Sequence, residues 1–277
     1  MNGSYESDGV TLAFRDSGSG LPVVFLHPTP LDGEYWRPLT ENLAGVQAIV
    51  PDLRGHGASH LGRVPAGGFA LVPDAPVLTM AQLARDVLAL LDDLEIEAAI
   101  FAGCSIGGYV LLELWRQASE RMLGMAFICS KPQPDALANL EKRAATIGLV
   151  RAGTSAAIFQ GMAQTLAGET ARKRRPEIVA ELRARMTLTP EALIAVQAGL
   201  ATRPNSQATV GTIDLPVLAI AGGEDTSVVP AEMEAFHAAP GGCEFHLLPD
   251  AGHFAAYEQP QKVATLMAEW LKQFGQS

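Results

Sequence analysis

A serine flanked by glycines stands in Gly103-Cys104-Ser105-Ile106-Gly107-Gly108, directly after the apolar run 98–102 and directly before a helical stripe of Val110, Leu111, Leu114 and Trp115. A strand that turns sharply into a helix around one residue holds that residue in a strained conformation, and glycines two positions to either side relieve the crowding. Ser105 is therefore the candidate nucleophile, projecting at the carboxyl end of a sheet. A serine hydroxyl is a weak nucleophile until a neutral imidazole takes its proton, and that imidazole needs a carboxylate to hold its tautomer. Of the six histidines, His253 lies in the turn Asp250-Ala251-Gly252-His253-Phe254 between the last strand and the last helix, where an imidazole can hang over the sheet edge. His246 falls within the last strand and His237 within a helical segment, so both are assigned to packing or surface. For the acid, Asp225 in Gly222-Gly223-Glu224-Asp225-Thr226 ends the run 217–221, with Glu224 as its rival. The strand after the serine ends in Cys129-Ser130-Lys131 and offers no acid.

Attack on a carbonyl creates an oxyanion, and each backbone N–H aimed at it contributes roughly 3 kcal/mol. One expected donor is Ile106, which follows the serine. The other is Thr29 in His27-Pro28-Thr29-Pro30, since neither proline has an N–H to give. Candidate substrate contacts are Leu31, Trp36, Ile106, Tyr109 and Phe254, with Phe159 and Met162 from the middle of the chain. Aromatic and methionine residues at helical spacing also serve as ordinary core. This mostly apolar set favours an uncharged ester or lactone.

The elements that must position these groups follow from periodicity. Short apolar runs at 23–26, 48–50, 98–102, 125–129, 217–221 and 245–248 predict buried parallel strands. Met80, Leu83, Ala84, Val87, Leu88, Leu91 and Leu94 recur at helical spacing behind Thr79, an expected N-cap, and Val263 to Phe274 repeats the pattern as a closing helix. Residues 10–15, followed by Ser17-Gly18-Ser19-Gly20, predict an antiparallel arm at the sheet edge. Between 131 and 211 the strand signal stops, and helices are predicted over 136–150, 155–166 and 176–186, with a fourth opened by Thr189-Pro190-Glu191. The run Arg172-Lys173-Arg174-Arg175 is read as a solvated helix end. The glycine- and proline-rich segment 60–76 is long for a connection and is expected to border the pocket mouth.

The 277 residues carry 20 Lys plus Arg against 30 Asp plus Glu, a net charge of -10, which is the wrong sign for a phosphate backbone and argues against nucleic acid as a partner. Three cysteines with no ligand spacing imply neither a disulfide framework nor a zinc site, and no phosphate loop or metal cluster suggests a cofactor. The polar, acidic start lacks the features of a secretory signal, and no apolar run reaches the length of a membrane helix, so a cytoplasmic protein with no membrane partner is expected. The pattern gives no oligomeric state.

Taken together, the His27 loop, the turn Asp52-Leu53-Arg54-Gly55-His56-Gly57-Ala58-Ser59, the Ser105 turn, the Asp225 turn and the Asp250 to His253 turn resemble the α/β-hydrolase superfamily in order and spacing. Within it the chain is most similar to enol-lactonase-like hydrolases, small esterases and cofactor-free haloperoxidase-like enzymes. The resemblance implies an α/β-hydrolase fold: a mostly parallel sheet of about eight strands, helices on both faces, a core formed by 1–132 and 212–277, and a helical cap over 133–211. It implies a Ser-His-Asp hydrolase of esters or lactones, with Arg54 and His56 as structural residues. Pro28 departs from the glycine usual in relatives, and Cys104 is read as a small buried filler. Perhydrolysis and carbon–carbon cleavage use the same triad and stay open, as does a non-catalytic binder of a small ligand.

Overall fold

The computed structural model describes residues 2–275. Eight strands form one sheet: β1 (Asn2–Ser7), β2 (Val10–Gly18), β3 (Leu21–Leu26), β4 (Val46–Pro51), β5 (Ala99–Cys104), β6 (Met122–Ile128), β7 (Val217–Gly222) and β8 (Cys243–Leu248), in the order β1-β2-β4-β3-β5-β6-β7-β8. The six strands from β4 to β8 in that order are parallel, and β2 runs antiparallel to both β1 and β4. Helices cover both faces, giving the expected α/β-hydrolase architecture.

The central strands are apolar throughout because both faces are covered: every residue of β5 and β7 is buried. The edge differs from expectation. Residues 10–15 do form an antiparallel strand, but β1 pairs outside it. Its sequence Asn-Gly-Ser-Tyr-Glu-Ser buries only Tyr5 and Ser7, so it carries almost no apolar signal.

Strand order fixes where a site can form. The chain leaves β3 for β4 on one side and then returns past β3 to β5 on the other. At such a reversal the loops after the two central strands diverge and open a crevice at their carboxyl ends. Those loops carry Thr29 and Ser105.

The helix Met80–Asp93 starts as predicted, with the Thr79 hydroxyl accepting from Gln82 N at 3.1 Å. Between β6 and β7 lie six helices: Leu137–Arg151, Ser155–Leu166, Glu169–Arg174, Pro176–Arg185, Pro190–Ala201 and Gln207–Val210. The two short ones, of six and four residues, are too brief to show an apolar period of their own. The segment 60–76 packs on this insertion: Val72 and Ala75 cluster with Ile147 and Ala198.

Two glycines allow the central turn to close. A Cβ on Gly107 would drive into the carbonyl of Leu26 on β3, and one on Gly103 would strike the backbone of Gly107 and Gly108. Gly107→Ala is expected to destabilise by about 1–3 kcal/mol, lowering Tm by roughly 3–10 °C. Gly148→Ala, in a helix with open space around the added methyl, should be neutral or slightly stabilising. Equal Tm values for the two variants by calorimetry would contradict the packing argument.

Candidate active site

Ser105 has φ 52° and ψ -115°, a left-handed conformation costly for a non-glycine residue, and it caps the helix Ile106–Ala118. The conformation is held from both sides: Ser105 N donates to Ile128 O at 3.1 Å, and the Ser130 hydroxyl donates to Ser105 O at 2.9 Å. Ile128 ends β6 and Ser130 lies two residues beyond it, so the turn is braced by the neighbouring strand and its loop.

Asp225 follows β7 and His253 follows β8, and their side chains meet, with His253 Nδ1 2.7 Å from Asp225 Oδ2. The other carboxylate oxygen accepts from Ser227 N at 2.8 Å and Val228 N at 3.0 Å, which fixes the orientation of the acid. That contact engages Nδ1 and leaves Nε2 without a hydrogen-bond partner among the described residues. Relative exposures of 8% for Ser105, 4% for Asp225 and 3% for His253 put all three out of bulk water. Glu224 is occupied elsewhere: its carboxylate accepts from Thr170 N at 2.7 Å and from the Thr170 hydroxyl at 2.6 Å.

The serine turn and the histidine turn touch. The Cys104 thiol, one residue before the serine, points at the His253 carbonyl at 3.6 Å, and it also receives the Tyr35 hydroxyl at 3.3 Å. Burial pushes the Cys104 thiol well above its ordinary pKa, so it stays protonated and packs as a filler. Among the described residues no hydrogen bond joins Ser105 Oγ to His253.

Thr29 is buried, and among the described residues neither its N–H nor that of Ile106 has a protein acceptor. Two neutral histidines brace this loop. Leu53 N donates to His27 Nε2 at 2.9 Å, so the Nδ1–H of His27 donates to Pro28 O at 3.0 Å. His56 gives its Nδ1–H to Arg54 O at 3.1 Å and accepts the Thr29 hydroxyl at Nε2, 2.9 Å away. Arg54 itself is locked by Asp86, through Nε at 2.8 Å and Nη2 at 2.6 Å, and serves the scaffold.

Burial, and then the neighbouring His27, push the His56 pKa down to about 3. The folded value lies below the ~6.5 of an unfolded chain, so unfolding takes up a proton as pH falls. The His56 contribution is thus fully present above pH ~6.5 and is lost between ~6.5 and about 3. It should cost about 2 kcal/mol of stability between pH 7.5 and 5.0. Urea unfolding of His56→Gln should show a correspondingly shallower pH dependence; identical profiles would contradict the assignment.

One buried acid at this junction has no motif in the sequence to mark it. Glu258 is fully buried and accepts from Gly252 N at 2.9 Å, Phe254 N at 3.2 Å and Gly168 N at 3.1 Å. It ties the histidine turn to the helical insertion, and burial raises its pKa despite those donors. Arg175 joins the same junction by donating to Glu258 O at 2.6 Å, so the basic run is only partly a solvated helix end.

Next to these groups a cavity of about 650 Å³ opens between sheet and insertion. Tyr109 and Met162 line it, and Leu166, also in its wall, gives its carbonyl to His253 N at 2.8 Å. Ser105 and His253 stand beside the lining rather than in it. Leu31, Trp36, Phe159 and Phe254 are placed in the core instead. Trp36 ends a short turn that folds its indole onto Phe25 and Tyr35, at 5.3 and 4.9 Å. Phe254 packs on Tyr35 at 6.2 Å, and Phe159 lies under the Arg183 guanidinium at 5.7 Å. The apolar lining foreseen is met only in part: Lys131, Asp135, Lys142 and Arg143 also face the cavity.

No helix among the described residues is long and apolar enough to cross a membrane. A family model described as "Alpha/beta hydrolase family" matches residues 23–266. A thermophilic esterase from Thermogutta terrifontis is 31% identical, with a TM-score of 0.88 over 99% of this chain and 98% of that one. An enol-lactonase from Burkholderia xenovorans LB400, at 21% identity, shares the fold with a TM-score of 0.86 over 98% of this chain and all of that one. A non-heme chloroperoxidase from Streptomyces lividans is 32% identical over 132 residues, 46% of this chain and 44% of that protein.

Proposed function

The chain belongs to the alpha/beta hydrolase family, and we propose that within it this protein is a serine hydrolase of small carboxylic esters or lactones. The observation that carries the reading is the Asp225–His253 hydrogen bond of 2.7 Å, adjoining a serine held at φ 52° on the neighbouring turn. The esterase similarity over nearly the whole chain supports the same class of chemistry.

In this mechanism Ser105 Oγ attacks the carbonyl carbon while its proton passes to His253 Nε2. The Asp225 carboxylate stabilises the resulting imidazolium through Nδ1–H, and the oxyanion accepts from the N–H groups of Thr29 and Ile106. Collapse breaks the ester bond, and the leaving alkoxide takes the proton from Nε2. Water then gives a proton to Nε2, attacks the acyl-enzyme and releases the acid, returning the proton to Ser105. The insertion 133–211 acts as a cap over the 1–132 and 212–277 core, closing the cavity from above. The reaction needs no cofactor.

A panel of 4-nitrophenyl esters, lactones and peracid formation, run on one purified preparation, tests the reading. Ester or lactone hydrolysis well above peracid formation is expected. The chloroperoxidase similarity makes perhydrolysis the second reading, and peracid formation as the dominant activity would favour it.

A further inference from the structure

The cavity beside the serine is electrostatically unlike the rest of the chain. The protein as a whole carries -10, yet Lys131, Lys142 and Arg143 face the cavity with Asp135 as the one carboxylate among the lining residues. Asp135 is shared between two guanidinium groups, pairing with Arg143 and with Arg203 Nη2 at 2.8 Å. Burial works against its ionisation, but the hydrogen bonds from Arg143 and then Arg203 hold its carboxyl below the usual range. It therefore neutralises one of the two guanidiniums. Lys131 is paired with Glu232. Lys142 is exposed and, among the described residues, has no ion pair. Arg203, stacked 4.4 Å from the Tyr109 ring, keeps a buried Nε without an acceptor.

The Arg143–Asp135–Arg203 cluster thus keeps one net positive charge behind the wall, and Lys142 adds a second at an opening whose size suits a small ligand. A neutral acyl chain would gain nothing from this net positive charge, whereas a carboxylate would accept charge-assisted hydrogen bonds from it. We infer that this cavity is a carboxylate subsite, and that the preferred substrates are esters carrying a free carboxylate on the part of the molecule that enters it. Arg143 and Lys142 are the groups that read the charge, and Tyr109 with Met162 supply the flank along which the carbon chain lies. This inference rests on the hydrolase reading for its chemistry and replaces the uncharged substrate expected from the sequence.

The test compares 4-nitrophenyl hydrogen succinate with methyl 4-nitrophenyl succinate, which differ in one negative charge. The charged ester is expected to show kcat/KM at least tenfold higher, with the gap narrowing several-fold between 20 and 500 mM sodium chloride. Lys142→Gln should shrink the ratio of the two esters several-fold, and Lys142→Glu should shrink it further; an exposed side chain leaves folding intact in both. Equal rates, or a faster neutral ester, would overturn the subsite while leaving the hydrolase reading standing. Calorimetric titration of disodium succinate separates the remaining outcomes. Binding that weakens in Lys142→Glu without turnover of either ester would support the subsite and sink the hydrolase reading. Absence of binding together with equal ester rates would overturn the subsite.

Discussion

Replacing Ser105 with alanine is expected to lower kcat/KM for an activated aryl ester by at least about a thousandfold. The residual rate would come from binding and oxyanion stabilisation alone, which in triad enzymes exceed water by about 10³–10⁴. The structural cost of the change is small by comparison. Ser105 holds its turn through backbone bonds to β6, and its Oγ takes no part in them. Far-ultraviolet circular dichroism and Tm should therefore stay close to the parent while turnover collapses. A variant retaining a rate within tenfold of the parent would remove the serine from the mechanism.

Asp225→Asn should cost about 10⁴ in kcat with little change in KM. An amide in place of the carboxylate can present its NH₂ to Nδ1, which would leave the proton on Nε2 and disable the base. The bonds from Ser227 and Val228 to Oδ1 can persist to the amide oxygen, so geometry is conserved while the tautomer is lost. Glu224→Gln is the control. Its carboxylate holds Thr170 at the insertion, and its loss should alter stability before it alters kcat. A larger fall in kcat from Glu224→Gln than from Asp225→Asn would move the acid to the neighbouring residue.

Much of this arrangement was visible in the chain because it depends on local signals. An apolar run of five or six residues followed by a turn marks the carboxyl end of a buried strand, and Ser105, Asp225 and His253 each stand at such a turn. Proline chemistry pointed to the Thr29 N–H by elimination. What escaped has a tertiary origin. Strand β1 is polar because only one of its faces is covered. Trp36 resembles a pocket residue by type, but its short turn folds it into the core. Glu258 accepts bonds from the segment carrying Gly168, about ninety residues away, and nothing in its neighbours foretells that. Lys131 and Asp135 in the cavity wall are held from behind it by Glu232 and Arg203. Each partner alone reads as an ordinary surface charge.

Every step of the proposed mechanism depends on Ser105 acting as a nucleophile activated by His253. The direct measurement is labelling of the intact protein with a fluorophosphonate, followed by digestion and mass spectrometry. A single phosphonyl adduct is expected on the peptide containing Ser105, formed far more slowly in His253→Ala. An unmodified Ser105 peptide, or an adduct on another residue that forms at the same rate without His253, would contradict it.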